Sequence, residues 1–475
     1  MTEKPDIVKQ YEQRKQAGES PYFDPVEFED IFHYYCEEGM EDEAEKVLHD
    51  AEALHPGDFI VTTLKAEYLL NMDDAQGCLD CLEPIFDSTN VMHCILRSGA
   101  MAKLDRLPEA ITYGELAMEG DDPLIAYDIG LGFMNADQPT LALRYYDRCL
   151  SAYPEDIRTL QAIILCLNQV GSPEEVIQYA DRALEVDSYC ADAWLAKGNA
   201  LGEQDKWKEA EECCDYALAI VPNSGDCLTL KTTCCIQQNR MDDALAFAEE
   251  ASKNVYGGQK ANVLLLLAHL YAEKGRKKEA VESIWQAVEA EPTDKDLMFR
   301  AAVAFSDNDE PHAAITLLRY RFTREGERTA PEVLSLLGEQ YSRIGWYNEA
   351  VAPYEMLTKQ QPGPASWTLL AGTYMSLYKF RKAYQLLLKA KEGDLIWQTY
   401  VLLAVCAHEM GWETAAESHY ITAYQLSASG ARDLLQALSP LLVESFEQKG
   451  IFRKAEQWRQ RQIAKEIQKA KKIIK

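Results

Sequence analysis

Cys78 and Cys81 form a C-x-x-C, a spacing that supports thiol–disulfide exchange in a thioredoxin-like context and supplies half of a zinc ribbon. Neither context is present. Both cysteines fall inside a helical segment whose register makes Cys78 a small core residue, a common role for a buried cysteine. Cys213, Cys214, Cys227, Cys234 and Cys235 offer thiols from two facing helices, as a zinc site requires, but Cys214 and Cys235 sit in core columns and no paired C-x-x-C completes the set. His408 and Glu409 open an H-E-x-x-H pattern in which Trp412 stands where the second zinc-binding histidine is needed. Gly130 and Gly132 make a G-x-G with no strand before it, and neither a G-x-x-x-x-G-K-[ST] phosphate loop nor a G-x-S-x-G nucleophile turn occurs. The expectation is no catalytic residue, no metal site, no cofactor and no enzyme.

The elements that would position any site come from a repeat. A column of small residues runs through Ala44, Cys78, Ala110, Ala142, Val176, Ala210, Ala244, Ala280, Ala314, Ala350, Ala383, Ala416 and Ala455, with spacings of 32 to 39 residues. Periods of this size identify a solenoid. Five residues before each stands Gly, Asp or Asn, from Gly39 and Asp73 to Gly411 and Gly450, with Tyr378 alone breaking the pattern. Those types permit the left-handed backbone of a tight turn between two helices. Twelve residues before the column a second small residue recurs, as in Ala66, Ser98, Gly130, Gly198, Ala268, Ala302, Gly338, Ala371 and Ala404. Three residues after that second column come large side chains such as Tyr35, Phe133, Phe305, Tyr341, Tyr374 and Phe446, and twelve after the first come Pro56, Pro154, Pro222, Pro292 and Pro362, which close the second helix.

The pattern resembles the tetratricopeptide repeat (TPR), most clearly through Trp194, Gly198, Leu201, Ala210, Ala217 and Pro222, and next through Trp367, Leu370, Ala371, Tyr374, Ala383 and Ala390. The resemblance covers residues 25–465 in about thirteen repeats. It implies an all-α fold, a right-handed superhelical solenoid of antiparallel helix pairs. The expected organisation is an N-terminal helical cap over 1–24, a repeat array over 25–435, and over 436–475 a last atypical repeat with a basic capping helix. That helix is expected to turn Trp458, Ile463, Ile467 and Ile474 toward the array. Extra length near Asn254 to Lys260 and Thr323 to Thr329 is expected to form longer loops.

Composition bounds the partners. Net charge is −29, yet residues 449–475 carry +8, which leaves −37 for residues 1–448. An acidic body repels phosphate backbones, so nucleic acid is not an expected ligand of the body. The longest apolar runs, such as Val401 to Ala407, have about a third of the ~20 residues of a membrane span, and the first 18 residues do not read as a signal peptide. With 13 cysteines and no export signal, a reducing compartment is expected, and the cytoplasm with it.

In the family the first helices line a concave groove, and spacings of 3, 4 and 3 select one stripe on each. That stripe is rich in acids, Glu332 and Glu339 among them, with Arg158 its one base. Between the third and sixth repeats it is apolar with interspersed amides: Ile95, Tyr127, Leu131, Met134, Gln161, Leu165, Asn168 and Asn199. Amides bond both donors and acceptors of an extended peptide while apolar walls take its side chains. The expected function is a protein–protein scaffold or adaptor binding a neutral or basic peptide segment there. The alternative is a structural assembly subunit that uses its outer surface or edges, possibly as a homodimer. Lys197 and Asn199 resemble part of the basic clamp of some TPR co-chaperones, but Leu195 and Leu230 occupy positions where that clamp needs polar groups, so this specialised role is rejected.

Overall fold

The computed structural model describes residues 4–17, 22–119, 122–390 and 396–473. Among these residues there are 28 α-helices and no strand. They are arranged as successive helix pairs, of which Ala191–Glu203 with Trp207–Ile220 is representative. The chain divides into two compact units, residues 1–251 and 252–475.

The turn inside each pair follows from backbone hydrogen bonding. A helix leaves its last carbonyls unsatisfied, and a residue in the left-handed region after the helix lets the next N–H reach back to one of them. Asp205 (φ 59°) does this, with Lys206 N donating to Leu201 O at 2.9 Å. The same bond recurs from Met40 to Tyr35, Arg276 to Tyr271 and Trp346 to Tyr341, each at 2.8 Å. Of the thirteen turn positions, twelve have positive φ. Tyr378 is among them at φ 57°, so the residue that breaks the pattern in type keeps it in conformation. Gly171 is the exception. It is extended (φ −89°, ψ −179°), because the preceding helix runs on to Val170 and Ser172 starts the next one through a capping box with Glu175.

Packing rests on the two small columns. All thirteen residues of the first are at most 5% exposed. At the second, a missing Cβ admits the partner helix's side chain: a Cβ on Gly130 would lie 2.6 Å from Tyr146 Cε1, and one on Gly338 would lie 2.6 Å from Tyr354 Cε1. Where the second-column residue is Ala302, the side chain sixteen positions on is Leu318, and for Ala268 it is Ile284. Burying such a side chain contributes about 1.5–3 kcal/mol. Pro56, Pro154, Pro222, Pro292 and Pro362 follow helices that end at Leu54, Ala152, Ile220, Ala290 and Gln360.

Two expectations, on the inserted residues and on the C-terminal helix, need correction. The extra residues near Asn254 and Thr323 do not make long loops but lengthen helices, giving Gly257–Glu273 (17 residues) and Pro311–Glu325 (15 residues). A helix satisfies the added backbone groups internally. The second extension is held by buried Arg321, which donates to Lys295 O (3.0 Å) and to Glu325. The first helix of the last repeat is broken into Ala428–Leu438 and Pro440–Gln448, where proline cannot join the preceding ladder. Finally, the C-terminal helix Ile451–Ile473 is docked at its first turns: Ile451 and Ala455 are fully buried and Glu456 accepts from Tyr424 Oη at 3.1 Å. Trp458 is 42% and Ile463 39% exposed, so neither is buried against the array as expected, while the side chains of Ile467 and Ile474 lie outside the described residues. At the other end, helix Asp6–Gln16 buries Val8 and Tyr11 beside Phe28 and Ile31, and residues 1–3 and 18–21 lie outside the described residues.

Two stability outcomes follow from these turns and crossings. Tyr378 is 83% exposed and held left-handed, a conformation that costs a side-chain-bearing residue roughly 1–2 kcal/mol. Tyr378→Gly is expected to stabilise unit 2 by about 1 kcal/mol, read as a higher denaturation midpoint. Gly338→Ala has the opposite sign: overpacking against Tyr354 costs about 1–3 kcal/mol, which outweighs a helix-propensity gain of about 1 kcal/mol. Adding Tyr354→Leu, which recreates the Ala302 and Leu318 combination, is expected to recover most of the loss in a double-mutant cycle.

Candidate peptide groove on the first helices

Helix Ile157–Val170 starts where Asp156 accepts from Thr159 N (3.2 Å), and positions 161, 165 and 168 then share one face. The next first helix, Ala191–Glu203, presents Asp192, Leu195 and Asn199 toward them. Together they enclose a cavity of about 280 Å³ lined by Gln161, Leu165, Asn168, Asp192, Leu195 and Asn199. Four of the eight expected groove residues are thus brought together. Leu165 is 59% exposed, and the amides of Asn168 and Asn199 are exposed and make no hydrogen bond among the described residues. Gln161 is half-buried and donates Nε2 to Cys190 Sγ at 3.2 Å.

The other four do not line this cavity. Leu131, on helix Leu124–Asn135, is 43% exposed, and on the first helices Met92 (42%) and Leu124 (40%) continue an apolar stripe. Met134 is half-buried and accepts from Cys166 Sγ at 3.3 Å. Ile95 packs half-buried against the unit-1 core. Tyr127 is also half-buried, its ring 5.5 Å from that of Tyr146 and 5.6 Å from the Arg158 guanidinium. Arg158 thus stands over the Tyr127 ring and is also 3.6 Å from Asp156.

Selecting a single stripe missed the positions between stripes. Ile164, Ala193 and Ala196 line the cavity because its floor lies between two helices, and each is adjacent in sequence to a chosen or flanking position. Asp128, next to Tyr127, is a further missed group: it is exposed, yet crowding by surrounding protein atoms pushes its carboxyl above the usual aspartate range while Arg158 pulls it back. Lys103 is a missed cation. It lines a second cavity of about 320 Å³ with Asn71, Gly99, Gly132 and Asn135, and is neutralised by Asp73 at 2.7 Å.

The groups with redox or metal spacing are otherwise engaged. Burial pushes the Cys78 thiol up to about 12, far from a reactive thiolate, and Cys81 points its thiol at Thr62 O (3.5 Å). Cys213, Cys214, Cys227, Cys234 and Cys235 are all buried, and among the described residues no group of three or more His, Cys, Asp or Glu is placed to hold a metal ion. His408 Nδ1 is 2.9 Å from Glu413, and Lys197 is 2.6 Å from Asp181, away from any clamp. Among the described residues no helix is long and apolar enough to cross a membrane.

Two family models described as tetratricopeptide repeat match residues 169–225 and 261–294. No curated protein matches the sequence. Among solved structures, the chain is similar to the APC/C hetero-tetramer Cut9–Hcn1 (16% identity, 91% of this chain and 92% of that one, TM-score 0.32). It is also similar to pilF of Pseudomonas aeruginosa (19%, 45% and 95%, 0.37) and to YrrB, a TPR protein with an unusual peptide-binding site (19%, 40% and 91%, 0.30). Overlaps of this size carry no argument about function. The matched repeats include Trp194 to Pro222, and the turn and packing columns that define them recur from residue 39 to residue 455. The chain contains tetratricopeptide repeats, matched over residues 169–225 and 261–294.

Proposed function

We propose that this protein is a non-catalytic adaptor that binds a neutral or basic extended peptide segment of a partner along the first helices of residues 91–203. The observation that carries this reading is the cavity between helices 157–170 and 191–203, where an exposed leucine, two free amides and a carboxylate converge. Asn168 and Asn199 bond the peptide backbone, Leu165 and Leu131 take an apolar side chain, and Asp192 favours a nearby Lys or Arg. The acidic body, which disfavours nucleic acid, fits the same class of ligand. Free cysteines throughout the described residues suit a reducing compartment, and we place the protein in the cytoplasm.

A second reading is favoured by another observation. Trp194 and Tyr216 stack at 4.6 Å with Tyr216 57% exposed, Trp194 Nε1 donates to Ser188 O at 3.1 Å, and the next residue, Tyr189, is 77% exposed, a set of aromatics suited to assembly through the outer surface. The experiment separates the two. Partners captured from the native source are identified by mass spectrometry, and their affinity is remeasured with Leu165→Asp/Asn168→Ala/Asn199→Ala and with Tyr189→Ala/Tyr216→Ala. Circular dichroism and melting serve as folding controls for both variants. The groove variant is expected to weaken binding at least tenfold, about 1.4 kcal/mol or more, with only modest salt dependence. Full affinity in that variant with loss in the aromatic one moves the interface to the outer surface.

A further inference from the structure

Unit 2 contains a larger groove of about 620 Å³ on helices Lys295–Asp307, Pro331–Arg343 and Pro364–Ser376. Its walls are apolar: Phe299, Val303 and Leu336 are half-buried and Leu369 is 41% exposed. Two exposed carboxylates, Glu332 and Glu339, stand along it, no cation lines it, and neither acid enters an ion pair among the described residues. The spacing is informative. Glu332, Leu336 and Glu339 lie at i, i+4 and i+7 and share one helix face, with the carboxylates two turns, about 10 Å, apart on either side of the leucine.

The C-terminal helix Ile451–Ile473 carries the same pattern with opposite charge. Lys454, Trp458 and Arg461 lie at i, i+4 and i+7, all three are exposed, and the two cations enter no ion pair among the described residues. A helix laid along the groove sets Lys454 against one glutamate, Arg461 against the other, and Trp458 among Leu336, Phe299 and Leu369. The helix cannot do this in its own chain. Its first turns are fixed to helices Glu413–Leu426 and Pro440–Gln448 through Ile451, Ala455 and the bond from Tyr424 to Glu456, whereas the groove belongs to helices 295–376.

We propose that a second copy of this chain is the occupant: the C-terminal helix of one copy docks in the Glu332–Glu339 groove of another. Apolar contact by Trp458 supplies most of the affinity, and the paired charges fix the register. Reciprocal docking closes a dimer, and one-way docking extends a chain of copies. An anionic membrane is the competing surface for a basic helix with an exposed tryptophan, but it repels the strongly acidic body to which the helix is attached. This interface is separate from the unit-1 groove, so either reading stands without the other.

Sedimentation velocity of the full chain over a concentration series provides the test, with circular dichroism and melting as folding controls. Wild type is expected to associate reversibly. Glu332→Lys/Glu339→Lys and Lys454→Glu/Arg461→Glu are each expected to raise the dissociation constant about tenfold or more, with higher salt acting in the same direction. The chain carrying all four reversals is expected to regain association, because the charges again oppose. A wild type that stays monomeric, single reversals without effect, or a folded fourfold variant that fails to recover would overturn the proposal. So would absence of self-association together with binding to phosphatidylserine-containing vesicles that Lys454→Glu/Arg461→Glu abolishes, which would assign the helix to a membrane surface.

Discussion

Two helices can cross closely only where one of them has almost no side chain at the crossing, and the rest of this structure depends on that constraint. Ala210 on one helix and Gly198 on its partner meet it in one repeat, Ala350 and Gly338 in another. Between the two columns lies the left-handed turn, whose hydrogen bond from the residue after the turn to the carbonyl five back sets the number of residues from the first helix to the second. The turn thus keeps the small columns in register, and the crossing in turn holds the turn's geometry in place. Tyr378 illustrates the dependence, since its unfavourable conformation persists where a glycine would adopt it freely.

Departures from the period show what the constraint leaves free. Where extra residues occur they enter helices, whose internal hydrogen bonds satisfy the added backbone N–H and C=O groups. Helix Gly257–Glu273 absorbs them at its start and Pro311–Glu325 at its end, and neither disturbs Ala280 or Ala314. Gly171 gives the complementary case. The turn there is rebuilt by the Ser172 and Glu175 capping box and Pro173, yet Val176 remains buried at 4% exposure. The crossing is kept while the means of reaching it varies.

These requirements also explain what could be read from sequence. A left-handed turn, a close crossing and a helix stop each admit few residue types, so Asp205, Gly338 and Pro362 announce their places individually. Exposed positions meet no such filter. The face of Gln161, Leu165 and Asn168 was legible because helical spacing alone determines it, but Ile164 and Ala196 were missed because the cavity floor depends on how two helices meet. Trp458 failed for a related reason. Amphipathic spacing gives a helix an apolar face without saying what lies opposite, and Trp458 and Ile463 stay exposed where the spacing alone would have buried them.

The separation between core columns and groove stripe has a functional consequence. Since the crossings are secured by residues on the buried side, the first-helix faces can change chemistry along the chain without disturbing the fold. The stripe from Met92 to Asn199 exposes leucines and amides, whereas that from Phe299 to Leu369 combines apolar walls with Glu332 and Glu339. In the proposed readings the first takes a backbone that needs donors and acceptors, and the second takes cations flanking an apolar side chain. Their salt responses should therefore differ, because amide contacts are insensitive to screening while exposed carboxylates are not. One repeated unit can thus hold two surfaces of different selectivity, provided that each uses only residues the crossings leave unclaimed.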